Sequence, residues 1–503
     1  MYAKKMILVA ALLGCGALHS AWAGKNDDTL RIGFTRESDT LDVYFNATRE
    51  GVVMAHLIWD ALLWRNPKTG QYQPGLADEW AFIDNQTLEF KLKRGVKFHN
   101  GEKFDADDVV YTMNWISNPE NGVKARRFVD WIKVAEKVDS NTVRIIAKKP
   151  FPAALEMLSN LLVIYPNEYH AEAGPDLFGR APVGTGPYAV TDVDIGKKIT
   201  FRANREYFGG SKGAPAIGNI VVSNFSDKNT LLAEVLTGRI DWMWNVPADQ
   251  AEKLQNNPQL QVVNESTMRI GFVVMDAVGR SGDTPFTKRK VRQAVAHAIN
   301  REAIVKHLVK GRSTVIHSAC FPTQIGCEQS VRKYEYNPDK ARRLLDEAGY
   351  PDGFRVDLHA NRDRPYVEAI LSDLQEVGID ANLVYIKWPA LREKRRAGKV
   401  ALQHTTWGSY SVNDVSAVTS VFFSDNPDDY AHDRQVRQWL AEGDNNTDLE
   451  VRKAAYSKAL RRIAEQAYWV PTWTYNVNYV FSKDLNFTPD YDEYPRFYQS
   501  YWN

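Results

Sequence analysis

The block from Pro74 to Trp115, PGLADEWAFIDNQTLEFKLKRGVKFHNGEKFDADDVVYTMNW, reads as extended chain running into a helix. In TLEFKLK, Leu88, Phe90 and Leu92 alternate with polar residues, the period-two pattern of a half-buried strand. Arg94-Gly95 supplies a turn, and a second extended run is expected through Val96 and Phe98. FDADDVV then opens a helix. Asp105 is placed as its N-cap, and Asp107 and Asp108 complement the positive helix end. An acid-rich run can also hold a metal, but capping accounts for all three aspartates at once.

The same alternation continues outward. KKITFRAN (197–204), GNIVVSNF (218–225) and ANLVYIK (381–387) read as strands. In NPDKARRLLDEAGYP, Asn337 is the N-cap, Pro338 the first helical residue and Gly349 the left-handed stop. TKRKVRQAVAHAINREAIVKHLVKG (287–311) is predicted as one helix with Val291, Val295, Ala298 and Val305 on its apolar face. DLEVRKAAYSKALRRIAEQA (448–467) is another, its basic residues forming a solvated face. Strands and helices interspersed in this way define an α/β chain, and 503 residues exceed what one core organises.

The N-terminus reads as an export signal. Lys4 and Lys5 precede the apolar run Met6–Leu18, and Ala21-Trp22-Ala23 forms an A-x-A cleavage site before Gly24. The run is too short to span a bilayer. Lipid attachment at Cys15 would leave a very short apolar segment and an unusual Leu13-Gly14-Cys15 context, so a cleaved, periplasmic form is expected. Cleavage removes two lysines and takes the formal charge from +1 to about −1. A near-neutral chain with both signs interspersed gives no electrostatic case for nucleic acid.

Cys320 and Cys327 then remain, and in an oxidising compartment they are expected to form one disulfide closing CFPTQIGC. Neither this C-x₆-C spacing nor the histidines resemble a metal site, and no cofactor is expected. There is no G-x-S-x-G elbow and no H-E-x-x-H, so no hydrolase chemistry is indicated. The 14 Trp and 23 Tyr combine apolar faces with polar edges, which suits a binding cleft.

Several passages together resemble the extracellular solute-binding proteins of peptide and nickel ABC transporters (family 5). They are 74–115, VGTGPYAV (183–190) with ANREYFGG (203–210), LLAEVLTGRIDWMW (231–244), KVRQAVAHAINREAIV (290–305), YNPDKARRLLDEAGYPDG (336–353) and VGIDANLVYIKWPALREKRRAGK (377–399). The resemblance implies a two-lobed, hinged periplasmic binding protein of type II, cluster C-like, with an extra subdomain. Lobe I would span 24–267, with the subdomain near 52–184, and would recover 478–503. Lobe II would span 268–477, with hinge strands near Thr267–Phe272 and Tyr475–Tyr479. It further implies a monomer that captures a peptide or peptide-like small molecule and presents it to an inner-membrane permease.

Carried over residue by residue, the resemblance nominates Trp244, Trp388 and Trp407 as cleft aromatics, and Arg364 as a partner for a ligand carboxylate. His404, Tyr44 and Asn46 also fall at cleft positions. HTTWGSYSVND (404–414) departs from the pattern. Where peptide-binding relatives carry an aspartate for the ligand's α-ammonium, this chain has Tyr410. A neutral phenol cannot replace a carboxylate in gripping a buried ammonium. Either Asp414 serves instead, or the ligand presents no free α-amine there. Nickel chelates, opine-like conjugates, glutathione-like and haem ligands, and other organic acids are the alternatives within this family. A chemoreceptor role would use the same fold.

Overall fold

The computed structural model describes residues 24–503 apart from Ala47 and Ala125, so the expected signal segment and Cys15 lie outside the described residues. A ten-stranded sheet runs through the molecule. Its order is Ile379–Tyr385, Phe354–Ala360, Leu402–Trp407, Leu260–Met275, Trp469–Ser482, Trp242–Met243, Thr29–Phe34, Asn219–Asn224, Lys198–Ala203, Tyr188–Asp194. The two long central strands join its halves. Leu260–Ser266 pairs antiparallel with Asn476–Ser482, the register then breaks between Ser266 and Ile270, and Ile270–Met275 pairs on its other edge with Leu402–Trp407.

The apolar cores divide accordingly. One gathers residues from Leu30 to Trp244 and takes back the tail from Val477 to Tyr498. The buried residues of two others fall within 268–475, with Tyr491 of the tail packed against one of them. Val412 is an exception, packing into the first core although its chain neighbours belong to the other half.

The opening block forms a separate four-stranded antiparallel sheet. Its order is Ala77–Phe82, Thr87–Leu92, Thr142–Ala147, Ile132–Asp139, with the helix Ala106–Ser117 against it. Asp105 caps that helix through Asp107 N at 2.7 Å, and Asp108 returns a bond to Asp105 N at 2.9 Å. The run after Arg94-Gly95 is not a strand. It makes a single bridge, Lys97 to Lys103.

The helices at Pro338–Glu347 and Leu449–Glu465 form as expected, capped by Asn337 and Asp448. The helix predicted over 287–311 is instead divided. Arg289–Ala298 ends before Asn300, whose side chain caps Arg301–Ile304 through Ala303 N at 3.0 Å. Asn300 N donates to Asp373 at 2.8 Å, so the tertiary partner and the local cap together outweigh continuation of the helix. Cys320 and Cys327 are disulfide-linked, with Cα atoms 5.8 Å apart. Among the described residues no helix is long and apolar enough to cross a membrane.

Candidate functional site

A cavity of about 500 Å³ opens where the two halves of the sheet face each other. The first half supplies Val43, Tyr44, Thr48, Arg49, Val52, Phe128 and Leu162, and Tyr494 comes from the returning tail. The second half supplies Trp388, Trp407, Gly408 and Tyr410, and Arg269 enters from the central strand. Among the described residues lining it there is no aspartate or glutamate, while Arg36, Arg49 and Arg269 all border it.

Each aromatic is positioned by its own element. Trp388 begins the helix Trp388–Arg396, half-buried, with the Arg395 guanidinium 5.3 Å from its ring. Trp407 ends the strand Leu402–Trp407, and its indole N–H donates to Ala417 O at 2.8 Å. Its ring meets Tyr410 edge-on at 5.5 Å. The Tyr44 hydroxyl donates to Val163 O at 2.6 Å, fixing the ring against the wall.

Tyr410 sits at the centre of a strained turn. Ser409, Tyr410 and Ser411 all have positive φ, at 49°, 51° and 59°. Such non-glycine conformations cost on the order of 1–3 kcal/mol each and persist only when surrounding contacts enforce them. Here the contacts come from across the cavity. Arg49 donates to Ser411 Oγ at 2.7 Å, Arg65 to Ser411 O at 3.3 Å, and Asn413 N to Glu156 at 2.8 Å. Arg65 is itself buried between Glu156 at 3.4 Å and Asp492 at 3.3 Å. Burial pushes the Asp492 carboxyl up, but Arg496 and Arg65 outweigh it and hold the group at about 2. From the other side, Gln324 of the disulfide loop donates to Val412 O at 2.9 Å and to Asp414 O at 3.2 Å. At Gly408 a Cβ would stand 2.9 Å from the Arg269 guanidinium, so a side chain there would push the end of that arginine aside.

Arg127 covers Tyr410. Its guanidinium lies 3.4 Å from the Tyr410 ring centroid and 5.5 Å from that of Trp407. At Tyr410 this protein therefore stacks a cation on a phenol.

The other residues singled out in the sequence lie elsewhere. Trp244, 6% exposed, lines a smaller adjoining cavity of about 210 Å³, and its indole N–H finds no acceptor among the described residues. Asn46 is buried in its own loop, donating to Thr40 O at 2.9 Å. Arg364 stands exposed at the first position of the helix Arg364–Glu376, paired with Glu368 at 2.7 Å one turn on. His404 is fully buried, with both ring nitrogens lacking a hydrogen-bond partner among the described residues, and burial lowers its pKa to about 4. It stands three residues before Trp407 on the same strand, and such positions face opposite sides of a sheet. Asp414 is committed to Arg452 at 2.7 Å and to Ser416, both carboxylate oxygens being used inside the fold. Neither it nor Arg364 is among the residues lining the cavity.

Arg36, Arg49, Arg127, Arg269 and Tyr494 had no sequence signal. Arginine is common, and these lie far apart in a chain that only the folded sheet draws together.

The profile of the bacterial extracellular solute-binding proteins, family 5 (middle region), matches residues 71–429. Heme-binding protein A of Haemophilus influenzae is 28% identical over 436 residues, covering 79% of this chain and 78% of that one. The glutathione-binding protein GsiB of Salmonella choleraesuis is 30% identical over 420 residues, 80% of each chain. The solved structure of HbpA2 from Haemophilus parasuis superposes with a TM-score of 0.84 at 24% identity, over 94% of this chain and all of that one. The fold is thus that of the two-lobed type II periplasmic binding proteins, and the chain belongs to the bacterial extracellular solute-binding proteins, family 5.

Proposed function

We propose that this protein is the ligand-capturing component of an ABC importer, and that its ligand is a peptide-like small molecule presenting an acid group, not an ammonium, toward Tyr410. The observation that carries this reading is the charge of the cavity wall. No carboxylate lines it among the described residues, three arginines border it, and Arg127 lies on Tyr410. An ammonium placed there would be buried beside a guanidinium without a partner, at several kcal/mol. A carboxylate would meet a fork of N–H donors. The similarity to a protein named for glutathione, a tripeptide with two carboxylates, supports the same class.

In this reading Tyr44, Trp388 and Trp407 hold the apolar body of the ligand. Trp244 stands at the inner end, and Asn46, Arg364, His404 and Asp414 serve the fold. Residues 24–267 with 478–503 act as one lobe, carrying a subdomain near 52–184, and residues 268–477 act as the other. Closure about the central strands buries the ligand, and the permease recognises the closed form. The protein works as a periplasmic monomer after cleavage behind Ala23.

The test is native mass spectrometry on protein purified without refolding, followed by identification of what denaturation releases. A peptide-like acid supports the reading. A released peptide bound through a free amine beside Tyr410, or a plain cation, would refute it.

A further inference from the structure

The larger cavity does not end at the central strands. Arg36, Arg49 and Arg269 border both it and the smaller cavity that holds Trp244, so the two meet at a cluster of guanidinium groups. Sorting the charges there leaves an imbalance. Arg49 pairs with Glu493 at 2.8 Å, and Arg362 pairs with Asp363 at 2.9 Å, which also accepts the Tyr475 hydroxyl at 2.7 Å. Glu50 is 7% exposed, makes no ion pair among the described residues, and burial raises its pKa. Arg269 is left over, whereas Arg36 is exposed and has the Glu50 carboxyl near it.

Among the described residues the Arg269 side chain hydrogen-bonds the hydroxyl of Thr406 at 3.2 Å, with its guanidinium against Gly408. Burial lowers its pKa, Arg362 and Arg49 push the same way, and Glu493 opposes them. Arg127 is equally without a carboxylate among the described residues. It is exposed, with Arg392 as a further cation near it. The protein thus holds unmatched cations at two stations, the face of Tyr410 and the junction of the cavities. Arg269 is half-buried, and a half-buried cation without a counter-charge is costly unless a bound group supplies one, while Arg36 and Arg127 are exposed and open to an acid group.

We propose that the ligand carries two acid groups, one taken by Arg127 over Tyr410 and the other by Arg269 with Arg36 where the two cavities meet. This rests on the acid-binding reading above and narrows it from an acid to a peptide-like diacid. Arg127 and Arg269 are then the specificity-determining residues, since a monoacid leaves one station unmatched.

The experiment is calorimetric titration of the mature chain, freed of retained ligand by exhaustive dialysis, with glutathione, its glycyl monoethyl ester and its diethyl ester. A charge-assisted contact contributes about 1.5–3 kcal/mol, so each esterification should lower affinity by about tenfold or more. Arg127→Gln and Arg269→Gln should each lower glutathione affinity to a similar extent. Each should also flatten the difference between acid and ester at its own end, and Arg269→Lys should recover part of the loss. Esters binding within twofold of glutathione, or glutamine variants that still discriminate between them fully, would overturn the proposal.

If none of the three binds, the ligand released from the purified protein decides. A diacid supports the proposal, and a monoacid overturns it while leaving the acid-binding reading intact. A neutral or cationic ligand overturns both.

Discussion

Asp414→Asn separates a structural acid from a ligand-binding one. Asp414 and Arg452 form a buried pair at 2.7 Å, their side chains 2% and 6% exposed. Removing one charge of such a pair costs about 3–5 kcal/mol, because the other is left buried. Arg452 keeps Gly443 O at 3.0 Å and the Tyr456 hydroxyl at 3.1 Å, and asparagine can still accept from Ser416. The loss should therefore fall at the low end, about 3 kcal/mol. With a slope of about 3 kcal/mol per M, the urea midpoint should drop by about 1 M. Below that transition, native mass spectrometry should find the folded variant retaining its ligand as the parent protein does. An unchanged midpoint with loss of retained ligand would refute the reasoning and make Asp414 the acid that replaces the one missing at Tyr410.

Trp388→Ala should weaken ligand binding by about tenfold or more, the contribution of one large aromatic wall, while the half-exposed site leaves the urea midpoint nearly unchanged; calorimetry and an unfolding curve on the same sample check both. The double variant Cys320→Ser/Cys327→Ser should lose about 2 kcal/mol for a loop with a sequence separation of 7. It should also bind ligand more weakly, because Gln324 and Ile325 brace the 412–415 backbone; unaltered affinity would show that the brace is dispensable. The neutral, buried His404 should make the protein lose stability on acidification. Its imidazole titrates near 4 in the folded state and near 6.5 when unfolded, so the unfolded chain takes up the extra proton between those values. His404→Phe should remove that share, on the order of 3 kcal/mol between pH 6.5 and 4. Equal acid sensitivity of the two proteins would count against a neutral histidine at that position.

The elements that the sequence disclosed best were those whose signals are local. Asn337 and Asp105 cap helices through atoms two or three residues away, and the alternation in TLEFKLK and KKITFRAN needs no distant partner. The break at Asn300 was hidden because Asp373 closes it from far along the chain. At the cavity, Tyr44, Trp388, Trp407 and Tyr410 were reachable by resemblance, and the structure brings them together around one space.

The arginines were not reachable in that way. Arg269 lies on the central strand, Arg127 in the short turn Arg126–Phe128 and Arg36 in a loop after the strand Thr29–Phe34. Among the described residues Arg127 and Arg269 make no ion pair, which sets them apart from a paired surface cation such as Arg364. Two nominations could have been tempered from sequence. An arginine just before proline at a helix start, with glutamate four residues on, favours the exposed pair that Arg364 makes with Glu368. The period of a strand sets His404 and Trp407 on opposite faces.

The most direct test of the central claim is a crystal structure of the protein with its retained ligand. Density is expected between Tyr44, Trp388 and Trp407, with one acid group against Arg127 at Tyr410 and a second reaching Arg269. An ammonium beside Tyr410, or a ligand seated outside this cavity, would contradict it.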